Sequence, residues 1–166
     1  MATAENLKSA FAGESQANRM YTAFARKAEA DGLKQIARLF RAAAAAETVH
    51  ALAHFRVMGG VKSTLENLRA AIDGEGYEFT KMYPAFIAEA VGEGNRGAEV
   101  SFKNAMAVEQ IHHALYGEAL ASAQSGKDLP PADIHICDVC GNTVEGDVPD
   151  RCPICGASRN RFTKVE

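Results

Sequence analysis

The chain is 166 residues long, 47% hydrophobic, with a net charge of −3, which allows one medium domain with its own core plus a small appendage. The balanced charge argues against nucleic acid or an anionic membrane as the main partner, and no apolar run reaches the roughly 18 residues of a transmembrane helix. Met1-Ala2-Thr3-Ala4-Glu5-Asn6 shows no basic region followed by an apolar stretch, so no secretory leader is expected and the expected compartment is the cytoplasm, where thiols stay reduced.

Residues 4–125 read as helix almost throughout, being rich in Ala, Glu, Leu, Lys and Arg, with no proline before Pro84. Breaks at Asp31-Gly32, Gly59-Gly60 and Gly92-Glu93-Gly94 divide this stretch into four segments, about 4–30, 33–58, 63–92 and 95–124. The first segment carries Glu14 on its seam between Phe11 and Tyr21. The second has a heptad-like seam of Ile36, Phe40, Ala43, Glu47, His50, His54 and Val57. The third carries Glu75 and Glu78, flanked by Ile72, Phe79 and Met82, and holds Pro84, which is expected to kink or loosen it. The fourth repeats the seam as Ala98, Phe102, Ala105, Glu109, His112 and Tyr116. Steps of four and three mark one helix face turned into a bundle.

The segments also repeat one another. The second and fourth match at an offset of 62, pairing Gly32 with Gly94, Phe40 with Phe102, Glu47 with Glu109 and His50 with His112. The first and third match at an offset of 61 around Ala10–Glu14 and Ala71–Glu75. Two duplicated helical hairpins predict an all-α four-helix bundle over residues 1–126.

The texture then changes. Ser125 to Pro131 has the composition of a linker, placed at 127–133, and residues 134–166 carry short β-like runs between turns. So small a piece needs a staple to fold. All four cysteines of the chain lie there, as Cys137-Asp138-Val139-Cys140-Gly141 and Cys152-Pro153-Ile154-Cys155-Gly156. Each Cys-x-x-Cys knuckle presents two thiolates, and four together suit tetrahedral zinc or iron. Two structural disulfides are the alternative.

Glu47-Thr48-Val49-His50 and Glu109-Gln110-Ile111-His112 are both Glu-x-x-His, which puts carboxylate and imidazole on one helix face. Glu14, Glu75 and Glu78 join them on inward faces. Burying five carboxylates costs several kcal/mol each without compensation, which two metal ions would supply. A glutamate from each of two helices plus a Glu-x-x-His from each of the other two is the ligand pattern of di-iron and di-manganese carboxylate bundles. Glu78 is surplus to that pattern. Tyr21 and Tyr83 could hydrogen-bond to ligating carboxylates or serve as plain core aromatics. His113 points away from the His112 face, His54 and His135 read as surface or interface residues, and Met20 and Met82 read as packing.

Across essentially its whole length the chain resembles the rubrerythrins, on Ala10-Phe11-Ala12-Gly13-Glu14-Ser15-Gln16-Ala17, Glu47 to Ala51, Gly74 to Pro84, Glu109 to His112, and the tail from Cys137 to Phe162. The tail, with Glu145-Gly146, Pro149 and Cys152 to Ala157, is similar to rubredoxin, except that Asn142 stands where an aromatic usually follows Cys-Gly. The resemblance implies a ferritin-like bundle. It implies two irons held by Glu14, Glu47, Glu75, Glu78, Glu109 and His112, with His50 trading places with Glu78 as the oxidation state changes. It further implies one iron on Cys137, Cys140, Cys152 and Cys155, with zinc as the other possible occupant. Family members are peroxidases that reduce hydrogen peroxide to water. Their electrons come one at a time through the rubredoxin-like iron from an NAD(P)H-dependent reductase or free rubredoxin.

A homodimer is expected from the same resemblance, with Gly59-Gly60 as the hinge should helices be swapped. The tail is expected to be tethered too far from mid-helix ligands for transfer within one chain, so the partner's tail is expected to approach the site. Two other functions fit the bundle: a ferritin-like ferroxidase or iron binder, and a di-iron oxygen reductase. The electron-transfer tail argues against the first, and the extra ligand Glu78 against the second.

Overall fold

The computed structural model describes residues 2–166, which divide into two compact units, Met1–Lys62 and Ser63–Glu166. In the first, α1 (Ala2–Ala30) and α2 (Lys34–Val57) form a hairpin. The turn is closed by Gly32 at φ 77°, with Gly32 N–H donating to Glu29 O at 3.0 Å and Leu33 N–H to Ala28 O at 2.8 Å. This left-handed cap satisfies carbonyls that the helix end would leave unpaired.

The hairpin closes on small side chains. Ala25 and Ala28 of α1, and Ala37, Ala44 and Ala51 of α2, are buried. The three on α2 recur every seven residues, the spacing of a helix seam. Asn18 is buried with them, its Nδ2 donating to Ala44 O at 2.6 Å and to Thr48 Oγ1 at 2.7 Å. The seam expected from sequence sits one position away from this stripe: Ile36 and Val57 are exposed, and Glu47 and His50 lie on the neighbouring face. Alanines lead the contact because they let two backbones approach closely. The apolar pattern alone does not distinguish that contact from the larger seam beside it.

In the second unit, Ser63 and Glu66 form a reciprocal capping box that starts α3 (Thr64–Tyr77). A π-helical turn (Glu78–Met82) follows, then α4 (Tyr83–Gly92) and α5 (Arg96–Gln124), capped by Asn95 Oδ1 accepting from Ala98 N–H at 3.1 Å. The α4–α5 turn repeats the first hairpin's, with Gly94 at φ 69° and Asn95 N–H donating to Ala90 O at 2.8 Å.

The π turn explains why the repeat has two offsets. Glu14 and Glu75 are 61 apart, but Tyr21 and Tyr83, Phe24 and Phe86, and the buried Ala28 and Ala90 are all 62 apart. One extra residue therefore lies between Glu75 and Tyr83. A π turn absorbs one extra residue by bonding i to i+5, and Tyr83 N–H does donate to Glu78 O. The aromatic triads on either side of the duplication superpose in their dimensions. Tyr21–Phe24, Tyr21–Phe40 and Phe24–Phe40 ring centroids are 6.2, 6.2 and 5.6 Å apart, against 6.3, 6.2 and 5.6 Å for Tyr83–Phe86, Tyr83–Phe102 and Phe86–Phe102. The irregularity expected at Pro84 takes this form, with the proline in the first turn of α4, where its missing N–H is tolerated.

The tail forms a three-stranded antiparallel sheet in the order β2-β1-β3, from β1 (Ile134–Cys137), β2 (Thr143–Glu145) and β3 (Phe162–Lys164), with a 3₁₀ turn at Arg159–Arg161. The register pairs Ile136 with Thr143 and Cys137 with Phe162. The fold class is the expected one: long helices in two hairpins, followed by a small, largely irregular metal domain. Among the described residues no helix is long and apolar enough to cross a membrane.

Candidate metal centres

Each unit gathers one set of carboxylates and imidazole. In the first, Glu14 of α1 meets Glu47 and His50 of α2, each offering an atom within 4.8 Å of the others. In the second, Glu75 of α3 meets Glu109 and His112 of α5 under the same limit. The internal geometry repeats: His50 Nδ1 lies 2.9 Å from Glu47 Oε2, and His112 Nδ1 lies 2.9 Å from Glu109 Oε2. His112 Nδ1 is also 3.9 Å from Glu75 Oε1. The i, i+3 spacing on a helix is what brings each pair together.

The two sets differ in their surroundings. The side chain of His50 is 54% exposed, that of His112 27%. Around His112 the carboxylates crowd. Burial pushes the Glu75 carboxyl above its ordinary range, and the Glu109 charge pushes it further. Burial and then Glu109 do the same to Glu78. Tyr83 is raised by burial and then by the charges of Glu78, Glu109 and Glu75. Mutually repelling carboxylates with an imidazole nitrogen aimed at them fit a hard cation with oxygen and nitrogen ligands. Glu78, at the head of the π turn, feels Glu109 but lies outside the tight triplet. Tyr21 sits in the aromatic triad of the first unit. His113 is edge-on to Phe79 at 5.3 Å and outside the cluster. His54 and His135 are half-buried, and Met20 is exposed.

The four cysteines converge in the tail. Cys137 and Cys155 sulfurs are 3.7 Å apart, and Cys140 and Cys152 sulfurs 3.6 Å. A tetrahedron with metal–sulfur bonds of about 2.3 Å has edges of about 3.8 Å, whereas a disulfide needs about 2.05 Å. The donor set fits one tetrahedral ion, and all four cysteines are free. The knuckles match: Gly141 N–H donates to Cys137 O at 2.8 Å and Gly156 N–H to Cys152 O at 2.9 Å. Gly141 and Gly156 have φ 84° and 75°, a backbone open to glycine at little cost. Burial alone would raise the Cys152 thiol, but backbone N–H groups of Cys155 and Ile154 together with the Cys140 and Cys155 sulfurs bring it to about 7. Burial dominates at Cys140 and pushes that thiol up, although Asn142 N–H donates to its sulfur. Asn142 itself is 1% exposed, and its Nδ2 finds no partner.

The tail packs on α5. A Cβ at Gly141 would lie 3.9 Å from Val108 Cγ1, and Val108 is buried. One turn further along α5, His112 Nε2 lies 2.9 Å from Thr143 Oγ1. A cavity of about 260 Å³ beside this contact is lined by His112, Tyr116, Ile134 and Thr143, among others. The tail is therefore not remote from the candidate ligand His112 of its own chain, contrary to the expectation from tether length: residue counting along a linker fixes reach, not the direction in which the tail folds back. Thr143 and the buried Asn18 were missed by sequence reasoning, since neither belongs to a spaced motif.

The rubrerythrin family profile matches residues 5–120, and the profile described as the rubrerythrin rubredoxin-like domain matches residues 135–163. The chain belongs to the rubrerythrin family. Rubrerythrin-2 of Clostridium acetobutylicum is 35% identical over 96% of this chain and 95% of its own length. Nigerythrin of Nitratidesulfovibrio vulgaris is 38% identical, over 97% and 85%. Among solved structures, the partially reduced state of nigerythrin aligns with a TM-score of 0.59 at 36% identity, covering 98% of this chain and 86% of that one. A fully reduced, all-ferrous state of nigerythrin aligns equally well, at 0.59. As a rubrerythrin-family protein the chain carries candidate iron sites of both kinds: carboxylate–histidine sets suited to a di-iron centre and a four-cysteine rubredoxin-like site.

Proposed function

We propose that the chain is a non-haem di-iron peroxidase that reduces hydrogen peroxide to water. Electrons would arrive from an NAD(P)H-dependent reductase or free rubredoxin through the four-cysteine iron. The observation that carries this reading is the contact of His112 with both chemistries: Nδ1 faces Glu109 and Glu75, while Nε2 meets the cysteine-bearing domain at Thr143. A storage protein has no use for a redox domain docked on a ligand histidine.

The proposed ligands are Glu14, Glu47, Glu75, Glu78, Glu109 and His112, with His50 as the alternate to Glu78, and Cys137, Cys140, Cys152 and Cys155 in the tail. When bound, paired ferrous ions supply the two electrons that peroxide needs, in H2O2 + 2 e⁻ + 2 H⁺ → 2 H2O. The chain's own groups set the charge around them. Five carboxylates favour the more highly charged ions, and a neutral imidazole suits the less charged ones, so exchange between Glu78 and His50 would follow the charge. Tyr83, whose phenol is raised by the charges of Glu78, Glu109 and Glu75, would hold carboxylates by hydrogen bonding; Tyr21 is its counterpart by the repeat.

A bundle over 1–126, a linker over 127–133 and a metal domain over 134–166 would be the working domains; the two family matches, 5–120 and 135–163, support that division. Each hairpin holds one Glu-Glu-His set, so one chain carries the two sets that two ions need. A homodimer, with helices exchanged through Gly59-Gly60, would let two chains share them in the cytoplasm.

The test is anaerobic reduction of the iron-loaded protein, then one equivalent of peroxide, followed by visible absorbance. Fast reoxidation by peroxide and slow reoxidation by air are expected. Faster reoxidation by air would overturn the peroxidase in favour of an oxygen reductase, and retention of ferrous iron against both oxidants would favour iron storage. Light scattering on the same sample is expected to give twice the chain mass; a fully active monomer would sink the dimer.

A further inference from the structure

Two points join the tail to α5, and they have matched spacing. Val108 and His112 are four residues apart on one face of the helix, and Gly141 and Thr143 are two apart in the tail. Val108 seats against Gly141, and His112 Nε2 meets Thr143 Oγ1 at 2.9 Å. The hydroxyl of Thr143 lies 3.3 Å from Gly141 O as donor. With its proton directed there, Thr143 Oγ1 accepts from His112, so Nε2 carries the imidazole proton and the Nδ1 lone pair is left for the carboxylate side. Gly141 directly follows Cys140. A continuous polar chain thus runs from His112 through Thr143 to the backbone beside a cysteine.

We propose that Thr143 is a positioning residue for His112. It fixes the Nε2–H tautomer and the ring direction needed for a metal at Nδ1, and the same bond docks the four-cysteine domain on the metal-binding helix. Metal-ligating histidines generally need an acceptor on the outer nitrogen, and loss of that acceptor costs about 10–100-fold in metal affinity or activity. Here the acceptor comes from the electron-entry domain, so ligand orientation and domain docking share one bond. The proposal rests on His112 being a ligand but not on peroxide being the substrate.

The test compares Thr143→Val and Thr143→Ser with the unchanged sequence in the full-length, zinc-loaded protein, a diamagnetic state that needs no turnover. Histidine ¹⁵N–¹H spectra are expected to show a slowly exchanging Nε2–H for His112 in the unchanged protein and in Thr143→Ser. In Thr143→Val that signal is lost to solvent exchange, and zinc affinity at the carboxylate–histidine site falls about 10–100-fold. Amide exchange of residues 143–145 should quicken in Thr143→Val, while the four-cysteine site keeps its metal, showing that the tail still folds. A slowly exchanging Nε2–H and full zinc affinity in Thr143→Val would overturn the proposal, as would a Thr143→Ser protein that behaves like Thr143→Val. Failure of wild-type protein to react with peroxide would remove the peroxidase and leave these readouts unaffected.

Discussion

Deleting Lys81 tests the account of the π turn. Lys81 is exposed within Glu78–Met82, so its removal strips no core contact. The deletion makes the Glu75–Tyr83 separation equal to that of Glu14–Tyr21, seven residues instead of eight. In the first unit that spacing serves both the ligand triplet and the aromatic triad within an uninterrupted α-helix. The shortened chain can therefore form both features again, but only by running α-helix straight through Pro84. A proline inside an α-helix loses a hydrogen bond and clashes with the carbonyl four residues earlier, at about 3 kcal/mol. For a chain of this size that corresponds to a fall in Tm of about 6–12 °C. Adding Pro84→Ala to the deletion removes the clash and should return Tm to within a few degrees of the starting value. Pro84→Ala alone should change little, because the residue count still demands the π turn. Thermal unfolding of the metal-free protein by circular dichroism measures all three. A deletion variant as stable as the parent, or a double variant as unstable as the deletion, would refute the reasoning.

Glu78→Ala should abolish most peroxide turnover while sparing reactivity with oxygen, read by stopped-flow reoxidation of the reduced protein; unchanged peroxide kinetics would remove Glu78 from the mechanism. Asn18→Ala deletes one buried and one part-buried hydrogen bond and should destabilise the chain by about 1–3 kcal/mol, measured as a lower urea midpoint with the iron sites still filled. The metal-free protein should gain stability as pH falls. Glu75 and Glu78 have folded-state pKa values above the ordinary 4.5, so the folded state takes up protons first, and their contribution is complete below the unfolded pKa and lost as pH rises through the folded one. Melting curves between pH 7 and 4 should rise through this window without metal, and lose that rise with zinc bound.

The two candidate clusters were legible because their chemistry is repeated. Glu47 with His50 and Glu109 with His112 are each a weak motif, but a shared offset and inward register make chance an expensive explanation. The cysteine knuckles were legible for a similar reason, since ligand spacing within a knuckle is set by local backbone geometry. Contacts between elements distant in sequence were not legible. Thr143 is 31 residues from His112, and a threonine opening a short strand carries no sign of which helix it will meet. The alanine stripe of α2 was passed over for a related reason: small residues read as helix propensity, and only packing shows that Ala37, Ala44 and Ala51 are the contact. The π turn lies between these cases. Its offsets of 61 and 62 are both present in the sequence, and their disagreement is a one-residue insertion that some local structure had to absorb.

Duplication gives two equivalent sets, each a glutamate facing a Glu-x-x-His with the same 2.9 Å contact. Two equivalent sets would bind two ions alike and give electrons no preferred entry. Four departures from equivalence fall on the second repeat: the inserted residue, Glu78 at the head of the turn it creates, Tyr83 under the charge of three acids, and Thr143 of the tail on His112. The insertion and the tail contact arise from unrelated parts of the chain, one within a helix and one beyond a linker, yet both converge on the Glu75, Glu109 and His112 triplet. On the proposed reading, the chemistry of that triplet is set by what was added to the repeat as well as by the repeat itself. Substitutions at Glu78 and Thr143 should accordingly divide the two irons' behaviour where equivalent changes at Ala17 or on α2 would not.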